Sequence, residues 1–415
     1  MLATSAPTVA LAIFLGLALL LLPGLAMLRL AGRRGLLAAA LAPACSTAVL
    51  GLGAILAGLA GVRWSIPVAL GAVVLGLGAA LLVRVLTHPP RADPAVGRGD
   101  WTALVVGVLL AVLPTILAAG SVDAYLQRWD GVFHSSALRV IDQTGSASTL
   151  TLGALSYGDG HASVYPAGWH AFASLLPGSA TAVLNIGATL PAALAWVLGC
   201  AALAVQLGRA RPAPLAGIGV GVAGFAGVLA GLVTASPMSL WVGWGHIPNA
   251  AALAMAPGAV ALGLRIARER DGRAADLVVL LVALAGMGLT HPNAVLATVA
   301  LLLPAVAAAV ARASRGHAAV GSTGAAVLIP VVAVLAVVAG LALFLLSPLA
   351  SSVTGYSGGS TQSVLAAVVD VVIGRYRLWP STAGIVIGLL ALAGAVVSVR
   401  RRDWLGSRHG PKIEP

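Results

Sequence analysis

An all-α polytopic membrane protein of about eleven transmembrane helices is the fold this chain predicts, and three features of the sequence predict it. Hydrophobic residues fill 60% of the 415 positions and charged residues only 9%, with a mean hydropathy of +1.02. Soluble domains carry charge on about a quarter of their residues. A soluble fold of this size could not cover its surface, so lipid must be its solvent. The apolar residues fall in runs of about 20, the length that crosses a bilayer as a helix. The arginines fall between those runs, on alternate sides.

Eleven runs qualify, at roughly 9–31, 36–60, 66–86, 102–119, 180–207, 214–234, 250–267, 276–290, 294–311, 322–346 and 381–399. The first lacks a basic stretch before Val9 and is followed by Arg33-Arg34, the pattern of a retained span rather than a cleaved signal peptide. Cytoplasmic loops accumulate Lys and Arg. With the N-terminus outside, 19 of the 24 basic residues fall inside, and Arg63, Arg128, Arg139, Arg375 and Arg377 fall outside. A wrong span count would scramble this alternation midway, and it holds to the end. The predicted topology is N-out and C-in, in the cytoplasmic (plasma) membrane, with an extracytoplasmic active face. The pair of short spans at 276–290 and 294–311, broken by His291-Pro292-Asn293, is where this alternation is most easily broken.

The chain divides into an N-terminal three-span region (1–101), a core (102–312) with a long outer loop at 120–177, and C-terminal spans (313–415) with an outer loop at 347–380 and a basic cytoplasmic tail. The 51 glycines suit helices packed closely in lipid. Cys45 and Cys200 lie inside apolar runs and read as buried small hydrophobes; no disulfide framework or metal-ligand spacing accompanies them. A net charge of +12 would suggest nucleic acid in a soluble chain, but here the basic residues flank spans, so no nucleic-acid partner is expected. No phosphate-cradling loop, nucleophile elbow or zinc spacing occurs.

Polar and aromatic side chains gather on the outer side. All five tyrosines lie in the first and third outer segments, and six of nine tryptophans (Trp64, Trp129, Trp169, Trp241, Trp244, Trp379) lie outside. So do five of eight histidines: His134, His161, His170, His246 and His291. An interfacial aromatic belt explains single rings, but a belt occupies both faces, and this distribution is one-sided.

The most informative stretch is Ser121-Val-Asp-Ala-Tyr-Leu-Gln-Arg-Trp-Asp-Gly-Val-Phe-His134. Asp123 lies just beyond an apolar run, where a carboxylate is costly unless it faces water or a partner. Asp130 and His134 are spaced i, i+4, and Asp123 stands two helical turns before Asp130, so one helix would bring all three to one side. From Phe133 the apolar residues Phe133, Ala137, Val140 and Ile141 predict an amphipathic helix along the membrane surface, ending at Gly145. Plain structural readings stand beside these: Asp123 as a helix cap, and Asp130 paired with Arg128 or Arg139. Tyr157-Gly-Asp-Gly-His161 signals a turn, with Asp159 as a turn residue. Tyr165-Pro-Ala-Gly-Trp-His170 returns to the membrane. The second outer segment offers Trp241, Trp244, His246 and Asn249, the next return His291 and Asn293, and the last outer loop Arg375 and Arg377, placed to grip a lipid phosphate or simply to snorkel.

A span entering a long outer loop, an aspartate just past the membrane, Arg-Trp-Asp-Gly-x-x-His and a later Tyr-Pro-x-Gly-x-His together resemble the type C (GT-C) polyprenyl-phosphate-dependent glycosyltransferase superfamily. More narrowly, the chain is similar to a group of Ala- and Leu-rich actinobacterial membrane proteins assigned to it. The resemblance covers about 102–300 well. It implies transfer of a sugar from a polyprenyl-phosphate donor to a cell-envelope glycan or lipid acceptor on the outer face, in contact with membrane lipids. It implies that Asp123, as the loop's first acidic residue, and Asp130, as a second, act as base or hold a divalent cation such as Mg or Mn. His134, His161, Tyr165, His170, Trp244, His246, His291, Arg375 and Arg377 are then the expected substrate-binding residues. Three spans precede the loop's entering span, where most of the superfamily has none, and no large outer domain follows the last span. Two other readings compete. A lipid or polysaccharide transporter or flippase should carry charge at mid-membrane and paired broken helices, whereas these span centres read as nearly free of charge. A non-catalytic membrane scaffold is the third.

Overall fold

The computed structural model describes residues 4–87, 93, 95–125, 130–157, 164–208, 220–233, 237–269 and 271–319, and beyond these 328, 331, 342, 346, 363, 365–366, 375–376, 379–380 and 389. Lipid offers backbone N–H and C=O groups no partners, so apolar runs satisfy them internally as helices. Among the described residues α1 (Ala6–Leu30), α2 (Leu36–Leu59), α3 (Ile66–Leu86) and α4 (Arg98–Ala119) are followed by α5 (Gly131–Thr144), α6 (Ala154–Tyr157) and α7 (Gly168–Ala173). Then come α8 (Ala180–Gly208), α9 (Val222–Leu232), α10 (Met238–Trp244), α11 (Ile247–Arg268), α12 (Arg273–Thr290) and α13 (Pro292–Ala319). Arg375–Tyr376 (β1) pairs antiparallel with Trp379–Pro380 (β2), a small departure from an all-helical chain. Seven helices, α1, α2, α3, α8, α11, α12 and α13, are long and apolar enough to cross a membrane. α9 is apolar but has only 11 residues. The two last predicted spans, 322–346 and 381–399, lie outside the continuously described residues.

Burial separates the core of the bundle from its lipid-facing wall. α2 and α11 each bury 78% of their most apolar stretch inside the protein, α3 only 11%. α3 leaves Leu70, Val74, Leu75, Leu82, Val85 and Leu86 exposed among the described residues, an apolar face suited to lipid. α2 does not stand apart with the first three spans. Its Leu37, Leu41 and Ala44 share one apolar cluster with Ala201 on α8, Met255 and Leu262 on α11, and Ala283 on α12. Two glycine contacts show how closely the helices approach. At Gly286, α12 lies against the Ala44 carbonyl of α2 with no space for a Cβ, and Gly231 on α9 lies likewise against the Gly107 carbonyl of α4. Asp100 locks the latter pair, its Oδ1 accepting from Gly221 N–H and Gly224 N–H, each at 2.8 Å.

α5 occupies the predicted amphipathic stretch and ends at Gly145, whose φ of 75° only glycine adopts freely. Its buried face differs from the expected one: His134, Ala137, Leu138 and Ile141 point inward against protein. The helix begins at Gly131, with Asp130 as its N-cap, so the expected continuous helix from Asp123 through His134 is not formed. Asp123 instead sits in a turn just after α4. Several outer tryptophans are core residues rather than belt residues. Trp64 and Trp169 are buried, and their indole N–H groups donate to the Ala171 and Gly187 carbonyls at 2.9 Å.

Candidate functional site at the histidine end of the bundle

α11 has His246 as its N-cap and Arg265 in its last turn, and α12 has Asp276 in its first turn and His291 as its C-cap. The bundle therefore has a histidine end and an arginine end.

At the histidine end four helix termini converge. Asp130 caps α5 without using its carboxylate on the helix. Its Oδ2 lies 3.6 Å from His246 Nε2. Gly245, at φ 76°, closes α10 and turns the chain so that His246 opens α11 beside it. Trp244 stacks on the His246 ring at 6.2 Å and 23°. One turn along α5 from Asp130, His134 Nδ1 meets His170 Nε2 at 3.1 Å; one nitrogen must donate and the other accept. Tyr165, Phe133 and Trp169 close around His170, with Tyr165 at 5.6 Å and Trp169 at 4.9 Å, centroid to centroid. His291 Nδ1 accepts the Asn293 N–H at 3.4 Å.

The electrostatics divide the cluster in two. Burial pulls the His134 imidazole down to about 3, helped by the neighbouring His246 and His291. Burial and then His134 hold His170 well below its ordinary value, and burial with His246 brings His291 to about 4. These three imidazoles are neutral at pH 7. Burial raises the Asp130 carboxyl, and His246 opposes that. Asp130 and His246 side chains remain 49% and 38% exposed, so this pair is the part of the cluster that a ligand can reach. Buried nitrogens without a hydrogen bond lie in the same region, His170 Nδ1 and Trp241 Nε1, while His134 also faces the Gly245 carbonyl.

The site thus gathers Asp130, His134, Tyr165, His170, Trp244, His246 and His291 from the residues that the sequence singled out. Asp123 has a different task. Its Oδ2 accepts the Thr4 N–H at 2.7 Å, and its Oδ1 accepts the Thr4 hydroxyl at 2.7 Å and the Ser179 hydroxyl at 2.5 Å. Those bonds, from Ser179 first and then Thr4, hold its carboxyl below the usual carboxylate range. Ser179 in turn accepts the Ala182 N–H at the start of α8, and Asn185 Nδ2 donates to the Val122 and Ala124 carbonyls. Asp123 therefore clips the starts of α1 and α8 together, the structural alternative to the base expected there. Asp130 pairs with His246 rather than with Arg139. The two aspartates share no partner among the described residues, and Asp123 already accepts three hydrogen bonds. The described residues contain no group of three or more His, Cys, Asp or Glu placed to hold a metal ion. His161 and Arg377, with Arg128 and Asp159, lie outside the described residues. Arg375 is described only by its place in β1.

The arginine end holds a cluster that sequence reasoning missed. Arg33, between α1 and α2, bonds Asp93 through Nη1 at 3.1 Å and Asp276 through Nη2. Arg265 bonds the same two carboxylates, Asp93 from Nη1 at 3.2 Å and Asp276 from Nε at 3.1 Å, and also Glu269 at 2.8 Å. The signal that could have found it was the placing of Asp93, Glu269 and Asp276, three of only 12 acidic residues, beside inside arginines.

No curated protein and no solved structure matches the chain. A family described as a family of unknown function, DUF6541, matches residues 17–406, and this chain belongs to it.

Proposed function

We propose that the protein is a membrane glycosyltransferase that moves a sugar from a polyprenyl-phosphate donor to a hydroxyl of a cell-envelope glycan or lipid. In this reading the histidine end faces outside, in the N-out, C-in arrangement of about eleven spans. The observation that carries it is the exposed Asp130–His246 pair beside Trp244. Asp130 takes the proton from the acceptor hydroxyl as its oxygen bonds to the sugar C1. The C1–O bond to phosphate breaks, and the polyprenyl phosphate leaves with the bonding electrons. The His246 ring lies where its N–H can steady that charge, and Arg375 and Arg377 are proposed to grip the lipid phosphate. Trp244 offers a flat apolar face to the sugar ring. The resemblance named the first aspartate of the loop as base; the geometry favours the second.

The test is a liposome assay of the purified protein with a short-chain polyprenyl-phosphate sugar and envelope extract. Wild type is expected to release free polyprenyl phosphate and label a glycan or lipid product. No product from several sugar donors, with folded protein, would overturn the reading. A transporter is the second reading, on the buried Arg265–Asp276 charges, which sit at helix ends rather than at mid-membrane. In the same liposomes, movement of the intact donor between leaflets without cleavage would select that alternative.

A further inference from the structure

The charges at the arginine end form a closed ring. Arg33 and Arg265 each bond both Asp93 and Asp276, so the four alternate in sign around one circuit, with side chains at most 6% exposed. The partners come from the α1–α2 connection, the α3–α4 linker, the end of α11 and the start of α12. Local fields make the placement less costly. Arg265 sits in the last turn of α11 and Asp276 in the first turn of α12, each at the helix end whose dipole favours its sign. Such burial is nevertheless poor as a source of stability, because apolar residues of similar volume often serve as well. What buried charges do supply is a single register.

Close glycine contacts already fit α2 against its neighbours, Gly258 of α11 at the Ala40 carbonyl and Gly286 of α12 at the Ala44 carbonyl. The ring adds a direct tie between the ends of α11 and α12 themselves, Arg265 to Asp276, where a slip of one turn, about 5.4 Å, is the alternative to hold off. A slip here would drag Arg265 or Asp276 away from its partners into apolar surroundings. The same two helices carry the site. Arg265 stands 19 residues from His246 along α11 and Asp276 15 residues from His291 along α12, spans of about 28 and about 22 Å. At Gly286 the backbone of α12 rests directly against that of α2. We propose that the Arg33–Asp93–Arg265–Asp276 ring is a positioning device that sets the axial register of α11 against α12 and thereby places His246 and His291 at the far end of the bundle. This needs no assumption about the reaction performed there.

The experiment is ¹⁵N NMR of histidine-labelled protein in lipid nanodiscs, with resonances assigned by single His→Gln substitutions. The paired variant Arg265→Met/Asp276→Leu removes one charge of each sign and leaves Arg33 bonded to Asp93. It should melt within a few degrees of wild type, while the His246 and His291 signals each split or shift. A local staple would leave both signals in their single wild-type set, and that result in the folded protein would overturn the proposal. If the paired variant does not fold, Arg265→Lys decides the matter. It keeps the charge, but an ammonium cannot reproduce the guanidinium fork that bridges two carboxylates. Split His246 and His291 signals would support the proposal, and unchanged signals would overturn it.

Discussion

At the arginine end four charges close on one another with side chains 0 to 6% exposed, whereas at the histidine end Asp130 and His246 stay 49% and 38% exposed and the imidazoles around them are neutral. Both clusters place polar groups at the ends of the same two helices. The first spends most of its charge on itself, with Arg33 Nε left without a hydrogen bond and a small cleft lined by Asp93 and Gln206 beside it. The second leaves a carboxylate and an aromatic ring exposed. Exposure of its polar groups, more than density of charge, separates the two ends of this molecule.

The comparison can be broken most forcefully at Asp276. Asp276→Asn leaves two buried guanidinium groups short of a carboxylate, and loss of one partner in a buried pair costs about 3–5 kcal/mol. Denaturant unfolding in detergent should register that loss, with Arg265→Met/Asp276→Leu far less affected. Equal stabilities for Asp276→Asn and wild type would mean that the ring is not self-closing.

Acid should strike the histidine end next. His134 is neutral in the fold at pH values down to about 3 but takes up a proton near pH 6.5 once unfolded. Its contribution is complete above about pH 6.5 and is lost as pH falls, about 2 kcal/mol by pH 5. His170 and His291 act in the same direction. Melting points of wild type and His134→Gln, followed from pH 7.5 to 5, should converge as the pH falls. Parallel curves would contradict the buried neutral assignment.

Smaller effects sharpen the contrast. Trp244 is exposed, so Trp244→Ala should change stability by under about 0.5 kcal/mol. It should weaken donor binding by about 1 kcal/mol, roughly fivefold, in a titration with a short-chain polyprenyl-phosphate sugar. Asp123→Ala should act on stability alone, a lowered melting temperature as the starts of α1 and α8 separate, with donor affinity retained.

Much of this architecture was legible in the residues. Predicted spans 36–60 and 66–86 agree with α2 and α3 to within a residue, because an apolar run bounded by glycine, proline or arginine has one helical solution in lipid. Gly145 was readable as the end of α5 for the same local reason. The histidines and aromatics of the site were readable as types gathered on one side, and the structure brings Asp130, His134, His170, His246 and His291 to one end. Three things were not legible. Asp123 could not be told from a catalytic base, since the groups that fill its oxygens, Thr4 and Ser179, are 119 and 56 residues away. The inward turn of His134 was hidden by its polarity: it shares the i, i+3, i+4, i+7 stripe of Ala137, Leu138 and Ile141, which a reading anchored on Phe133 leaves out. The charge ring joins residues as far as 243 positions apart, and its arginines looked like ordinary loop-flanking charges.

The most direct test of the central claim is to assay Asp130→Asn and Asp123→Asn side by side for transfer from a short-chain polyprenyl-phosphate sugar, with a melting curve for each. General-base catalysis contributes about 10²–10⁴-fold. Asp130→Asn should therefore lose at least about 100-fold in rate at an unchanged melting temperature, while Asp123→Asn keeps its rate within a few-fold and melts lower. Full activity in Asp130→Asn together with an inactive but equally stable Asp123→Asn would contradict the account and return the base to Asp123.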